Sequence, residues 1–101
     1  MTKFTADAAF VRRFKKLSNQ DKDSFNQRAL ELGEDLDAGI PPRSSLGVRI
    51  FRKYASQRVH EFKWAADGRA LFRYGIDDDD GQKHVIWLIV GTHSIYETWE
   101  P

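Results

Sequence analysis

The chain is 101 residues long, 41% hydrophobic and 31% charged, which fits one domain, residues 1–101, with a modest core and leaves no room for two. It has no cysteine, which excludes a disulfide framework, thiolate catalysis and cysteine-based metal sites. The net charge of +1 conceals a gradient: residues 41–74 carry 8 Lys/Arg against 2 acids, residues 1–40 balance at 7 and 7, and residues 75–101 carry 1 against 6, so the basic middle is the surface expected to meet a polyanion.

Residues 2–6 allow a brief first strand. Asp7 can cap a helix from Ala8 to Leu17, where Phe10, Phe14 and Leu17 fall at helical spacing with Val11 alongside. Arg12, Arg13, Lys15 and Lys16 occupy the remaining arc and read as a solvated helix face. Ser18, with Asp21 three residues on, starts a second helix in a capping-box-like way. Phe25, Ala29, Leu32 and Leu36 then form one apolar stripe, Gly33 weakens the interior slightly, Gly39 is a natural stop and Pro41-Pro42 forbids further helix. Such a hairpin has one apolar side and must lie on a sheet built from the rest of the chain.

Pro41 to Gly47 is a linker. Strand signals come next, over Val48 to Tyr54, Val59 to Trp64, Arg69 to Ile76 and Val85 to Val90. Ala65-Ala66-Asp67-Gly68 and Asp77 to Gly81 are short turn signals, so the strands they join should be antiparallel neighbours. The run Val85 to Val90 is apolar throughout and stops at Gly91, the pattern of a strand buried on both faces inside a sheet. The expected fold is α+β: two N-terminal helices packed on one face of a small, mainly antiparallel twisted sheet of four to five strands.

Alternation sorts the side chains. His60, Phe62 and Trp64 share one face, and Val59, Glu61 and Lys63 the other; Arg69, Leu71 and Arg73 share one, and Ala70, Phe72 and Tyr74 the other. The set with Phe72 is apolar enough to be core. The opposite face, left over by the helices, should display Arg69, Arg73, one of His60 or Glu61, and at its rim His93 and Tyr96. Arg is suited to phosphate, and an imidazole can give or take a proton at neutral pH. An Arg, a His, a carboxylate and a Tyr on one face suit RNA cleavage by 2′-hydroxyl attack. The aspartate run Asp77 to Asp80 lacks the ligand spacing of a calcium hand and reads as a hairpin turn; neither metal nor cofactor is expected.

The order of parts, the Arg-initiated strand RALFRYG and the terminal GTHSIY resemble the RelE/ParE superfamily of type II toxin–antitoxin toxins over nearly the whole chain. The sharpest local piece is Gly91-Thr92-His93, similar to the GTH that closes the YafQ-type branch. The resemblance implies a ribosome-dependent, metal-free mRNA endonuclease inhibited by a cognate antitoxin. Its partners would be mRNA in the ribosomal A site and ribosomal RNA. On this chain Arg69 would stabilise the phosphate and His93 would be the acid or base. Tyr96 would stack on a base, and His60, Glu61 and Asp67 compete for the remaining proton transfer. Arg49, Arg52, Lys53, Arg58, Lys63 and Arg73 would meet RNA. The alternatives are a non-catalytic, ParE-like gyrase inhibitor, which should lack the His and aromatic set, and a binding protein that keeps the fold without nuclease activity. No apolar run approaches membrane-spanning length, and the start MTKFTADAAF lacks the apolar segment of a secretory signal, so a cytoplasmic location and no membrane partner are expected.

Overall fold

The computed structural model describes residues 1–75 and 83–101. Its central element is β5 (His84–Thr92), which lies between β1 (Lys3–Ala6) and β4 (Gly68–Gly75) in a five-stranded sheet of order β1-β5-β4-β3-β2. The apolar run therefore sits inside the sheet, as its composition requires. β1 runs parallel to β5 and all other neighbours are antiparallel. β3 covers His60–Lys63, and β2 is only Arg49–Ile50. The Asp77 to Gly81 turn lies outside the described residues, as does Ile76.

Two helices, α1 (Ala8–Lys15) and α2 (Asn19–Asp37), cover one face. The α2 start is as expected, with the Asp21 amide donating to the Ser18 hydroxyl at 3.1 Å. Asp7 occupies the α1 cap position but its side chain accepts no capping bond. Gly39 ends the hairpin at φ 70°. Phe25 is the keystone of this layer: its ring centroid lies 4.9 Å from that of Trp87 and 5.8 Å from that of Phe62. Gly33, expected only to weaken α2, is buried where a Cβ would lie 3.3 Å from the Phe4 ring, so its bareness lets β1 lie close. Past the prolines, the Arg43 guanidinium grips Asp35 through Nε at 2.9 Å and Nη2 at 2.8 Å, and its backbone N–H adds a third bond at 2.8 Å. This fork pins the linker to α2.

Three expectations fail. The strand expected over Val48 to Tyr54 stops at Ile50, and Arg52–Gln57 winds in 3-10 turns broken by a kink at Tyr54 and ended by Arg58 at φ 59°. Phe51 and Tyr54 are three apart, the repeat of a 3-10 turn, so this winding sends both rings to one side. The second face of the sheet is not bare. Phe51, Val59, Leu71, Leu88, Ile89 and Ile95 form a second small core there, closed by the single-turn helix α3 (Ile95–Thr98). A bulge makes this so: Leu71 pairs with Ile89 but Phe72 pairs with Trp87, leaving Leu88 extra. Leu88 and Ile89 therefore both join the second core, while Trp87 and Val90 join the helix side. Finally, Tyr74, assigned to the core, is 39% exposed. No helix among the described residues is long and apolar enough to cross a membrane.

Candidate functional site

At the end of the second face, beyond the small core, charged side chains replace apolar ones. Strand pairing sets two rows there: Arg49 opposite Glu61 opposite Leu71, and Lys63 opposite Arg69 opposite Gly91. Gly91 has to be bare, because a Cβ there would lie 2.8 Å from Ile95 Cγ2. The absent side chain lets α3 fold back over the sheet, and α3 carries Tyr96 with it.

Glu61 is 8% exposed. Arg49 Nε donates to its Oε2 at 3.1 Å, from a side chain that is itself 76% exposed. The carboxylate is thus nearly buried while its cation stands in solvent. Tyr96 is half-buried beside it. Burial, then hydrogen bonding and charge from Glu61, push the Tyr96 hydroxyl well above the ordinary phenol range, against the pull of Arg69 and Arg49. Tyr96 therefore keeps its proton at neutral pH and is a donor. Phe51 supports its ring at 5.1 Å between centroids.

Arg69 begins β4 beside the turn. Its Nη1 donates to the carbonyls of Ala65 at 3.1 Å, Ala66 at 3.2 Å and Gly68 at 2.9 Å. One nitrogen of the guanidinium is thus clamped to the turn, and Nε and Nη2 have no partner among the described residues. That leaves a two-nitrogen donor edge of the kind that fits a phosphate. Gly68 makes the turn tight: a Cβ there would lie 2.5 Å from the Trp64 ring.

His93 is exposed, with its ring centroid 4.9 Å from that of Tyr96. Its loop is held locally, by a 2.8 Å bond between the Thr92 and Ser94 hydroxyls and by the Tyr96 amide donating to the His93 carbonyl at 3.2 Å. Arg69, Glu61, Tyr96 and His93 are therefore brought to one side of the molecule, with Arg49 joining them through Glu61.

His60 is not brought there. Its ring lies 5.4 Å from Phe72 and 5.0 Å from Tyr74, and its Nδ1 donates to the Arg58 carbonyl at 3.0 Å. It faces the helix side because Glu61, its neighbour in β3, faces the other. Asp67 is exposed in the β3–β4 turn and makes no hydrogen bond or ion pair among the described residues. Of the expected RNA-contacting cations, Lys63 and Arg73 share the face of Arg69, while Arg52, Lys53 and Arg58 lie exposed on and after the 3-10 helix. Lys53 reaches the Glu97 carbonyl at 3.5 Å. Sequence reasoning set Arg49 among these contacts and missed its grip on Glu61; the signal was their shared face across a β-hairpin.

No family model matches this chain, and no curated protein matches it. Among solved structures, it is similar to the solution structure of the conserved hypothetical protein HP0894 from Helicobacter pylori, with 22% sequence identity, 93% of this chain and 97% of that chain covered, and a TM-score of 0.54. The likeness is one of fold: the same α+β arrangement, an open mixed sheet with helices.

Proposed function

We propose that the protein is the toxin of a type II toxin–antitoxin pair and cleaves mRNA in the ribosomal A site. The observation that supports this reading is the meeting of a half-free guanidinium, a nearly buried carboxylate, a protonated phenol and an exposed imidazole on one side of the sheet. In the reaction, Glu61 accepts the proton of a ribose 2′-hydroxyl. The 2′-oxygen then attacks the adjacent phosphorus, forming the O2′–P bond as the P–O5′ bond breaks. The free edge of Arg69 neutralises the charge that grows on the phosphate oxygens, and the Tyr96 ring, its hydroxyl held by Glu61, stacks on a base. His93 delivers a proton to the departing 5′-oxygen. The products are a 2′,3′-cyclic phosphate and a 5′-hydroxyl. Side chains carry every proton and charge in this scheme, so it is written without a metal. Arg49 holds the Glu61 carboxylate and lies open to a phosphate on the same strand.

The test is cleavage of message on programmed ribosomes by purified protein, with growth arrest on induced expression beside it. Arg69→Ala should lower the cleavage rate by about 10²–10³-fold, and His93→Ala by about 10²–10⁴-fold. His60→Ala should leave it unchanged. A double variant of Arg69 and His93 that still cuts message would overturn the assignment. Replication halting before translation would favour gyrase inhibition, and no arrest would favour a binding protein without nuclease activity. A small acidic antitoxin encoded by the neighbouring reading frame is expected to suppress the arrest.

A further inference from the structure

Arg12, Arg13, Lys15 and Lys16 are all exposed, as a solvated helix face should be. With Trp99 and Ile89 they line a groove of about 480 Å³ between α1 and the segment after α3. Arg12 with Lys15 and Lys16, and Arg13 with Lys16, are three or four residues apart and so are neighbours on the helix surface, and 1.5 Å per residue spreads Arg12 to Lys16 over about 6 Å. Among the described residues none of the four forms an ion pair, whereas Arg28, Arg43 and Arg49 each have a carboxylate. Glu100 is the one acid lining the groove.

The groove is joined to the candidate site by a relay of rings. Tyr96 meets Phe51 at 5.1 Å, Phe51 meets Tyr54 at 5.9 Å, and Tyr54 meets Trp99 edge-on at 5.5 Å. Both ends lie on the same side of the sheet. Unpaired cations beside an aromatic ring are the two components with which proteins hold single-stranded nucleic acid regardless of sequence: charge for the backbone, a π-face for the base.

We infer that this groove is a second nucleotide subsite, in which the α1 cations take phosphates of single-stranded RNA and Trp99 stacks on a base. The inference deepens the RNA reading and rests on it for the identity of the polymer. It is tested by binding, so that it stands or falls apart from cleavage. Trp99 also supplies its own signal, because the other two tryptophans, Trp64 and Trp87, are buried at 6% and 4% exposure while Trp99 is half-buried at the groove.

A His93→Ala protein, which cannot complete the cut, is titrated with a labelled single-stranded oligouridine over a range of salt. Expected results are quenching of tryptophan fluorescence on binding, loss of that quenching in Trp99→Phe with affinity kept, and an affinity loss of about 10-fold or more in Trp99→Ala. Arg12→Glu with Lys16→Glu should weaken binding and flatten the salt dependence of log K by about one or more, the share of the lost phosphate contacts. Unchanged affinity and salt slope in that charge-reversed protein would overturn the inference, as would quenching that survives Trp99→Phe. So would polyglutamate displacing the RNA at equal charge, which would mark an acidic protein as the occupant. Far-ultraviolet circular dichroism of each variant keeps unfolding from being read as lost binding. Binding that does not depend on the groove, in a chain whose wild type cleaves message, sinks this inference alone; groove-dependent binding by a chain whose wild type never cleaves sinks only the nuclease reading.

Discussion

On the helix side of the sheet, Phe25, Phe62, Phe72 and Trp87 meet ring to ring at 4.9 to 6.4 Å, and the buried Asp35 of α2 is held by Arg43. On the other side, the smaller core of Leu71, Ile89 and Ile95 gives way within one strand row to Glu61, Arg69 and Tyr96. Both sides use the same strands, so the difference is one of alternation and not of element. The helix face carries the larger, aromatic core. The other gives buried volume to a carboxylate whose only ion-pair partner among the described residues is a solvent-exposed arginine, an arrangement that adds little to stability and is suited to handling a proton.

Neighbouring residues of β3 give the sharpest way to break this contrast. Phe62 is fully buried between Phe25, Phe72 and Trp87, so Phe62→Ala should cost about 3–5 kcal/mol in urea unfolding. Glu61→Gln, one residue along and pointing the other way, should leave the urea midpoint close to wild type while message cleavage falls by about 10²-fold. If the two variants destabilise alike, the division of labour between faces is wrong.

The helix side also predicts a specific acid sensitivity. Hydrogen bonds from the Arg43 side chain, then from its backbone N–H, hold the Asp35 carboxyl below the usual carboxylate range. A depressed folded-state pKa contributes stability that is fully present above the unfolded value of ~3.9 and is lost as pH falls through the folded one. Asp35→Asn should therefore be less stable than wild type at neutral pH, with the gap closing as pH drops below about 4. Urea midpoints measured for both proteins across that range check it; a gap that widens in acid would contradict the assigned partner.

The same alternation governs how much of the molecule was legible in its sequence. The helical hairpin could be read because Phe10 and Phe14, then Phe25, Leu32 and Leu36, recur at helical spacing and because Ser18 and Gly39 mark its joints. Of the expected site, Arg69, Glu61, His93 and Tyr96 come together. Alternation placed His60 and Glu61 on opposite faces without saying which was inward, and only the pairing of β3 with β4 decides for Glu61. Two features were hidden for a physical reason. The bulge at Leu88 falls within six consecutive apolar residues, where a phase slip leaves no trace in the pattern. The 3-10 helix after Ile50 was masked because Phe51 and Tyr54 also satisfy strand propensity. The basic arc of α1 was visible, but the partner that turns it into a groove, Trp99, is more than eighty residues away in the chain.

The smallest expected effect sharpens the site face itself. Of the three tyrosines, Tyr96 is raised by both burial and Glu61, whereas Tyr74 is raised by burial alone. In a near-ultraviolet absorbance titration, Tyr96→Phe identifies the step belonging to Tyr96. Glu61→Gln removes the carboxylate charge, which disfavours a phenolate beside it, so that step should move to lower pH. It should remain above the ordinary ~10, because the burial is untouched. The Tyr74 step should not move at all, since it lies across the sheet with His60. A Tyr96 step indifferent to Glu61→Gln would mean that phenol and carboxylate are not neighbours in solution, and the proposed site would lose the contact that joins β3 to α3.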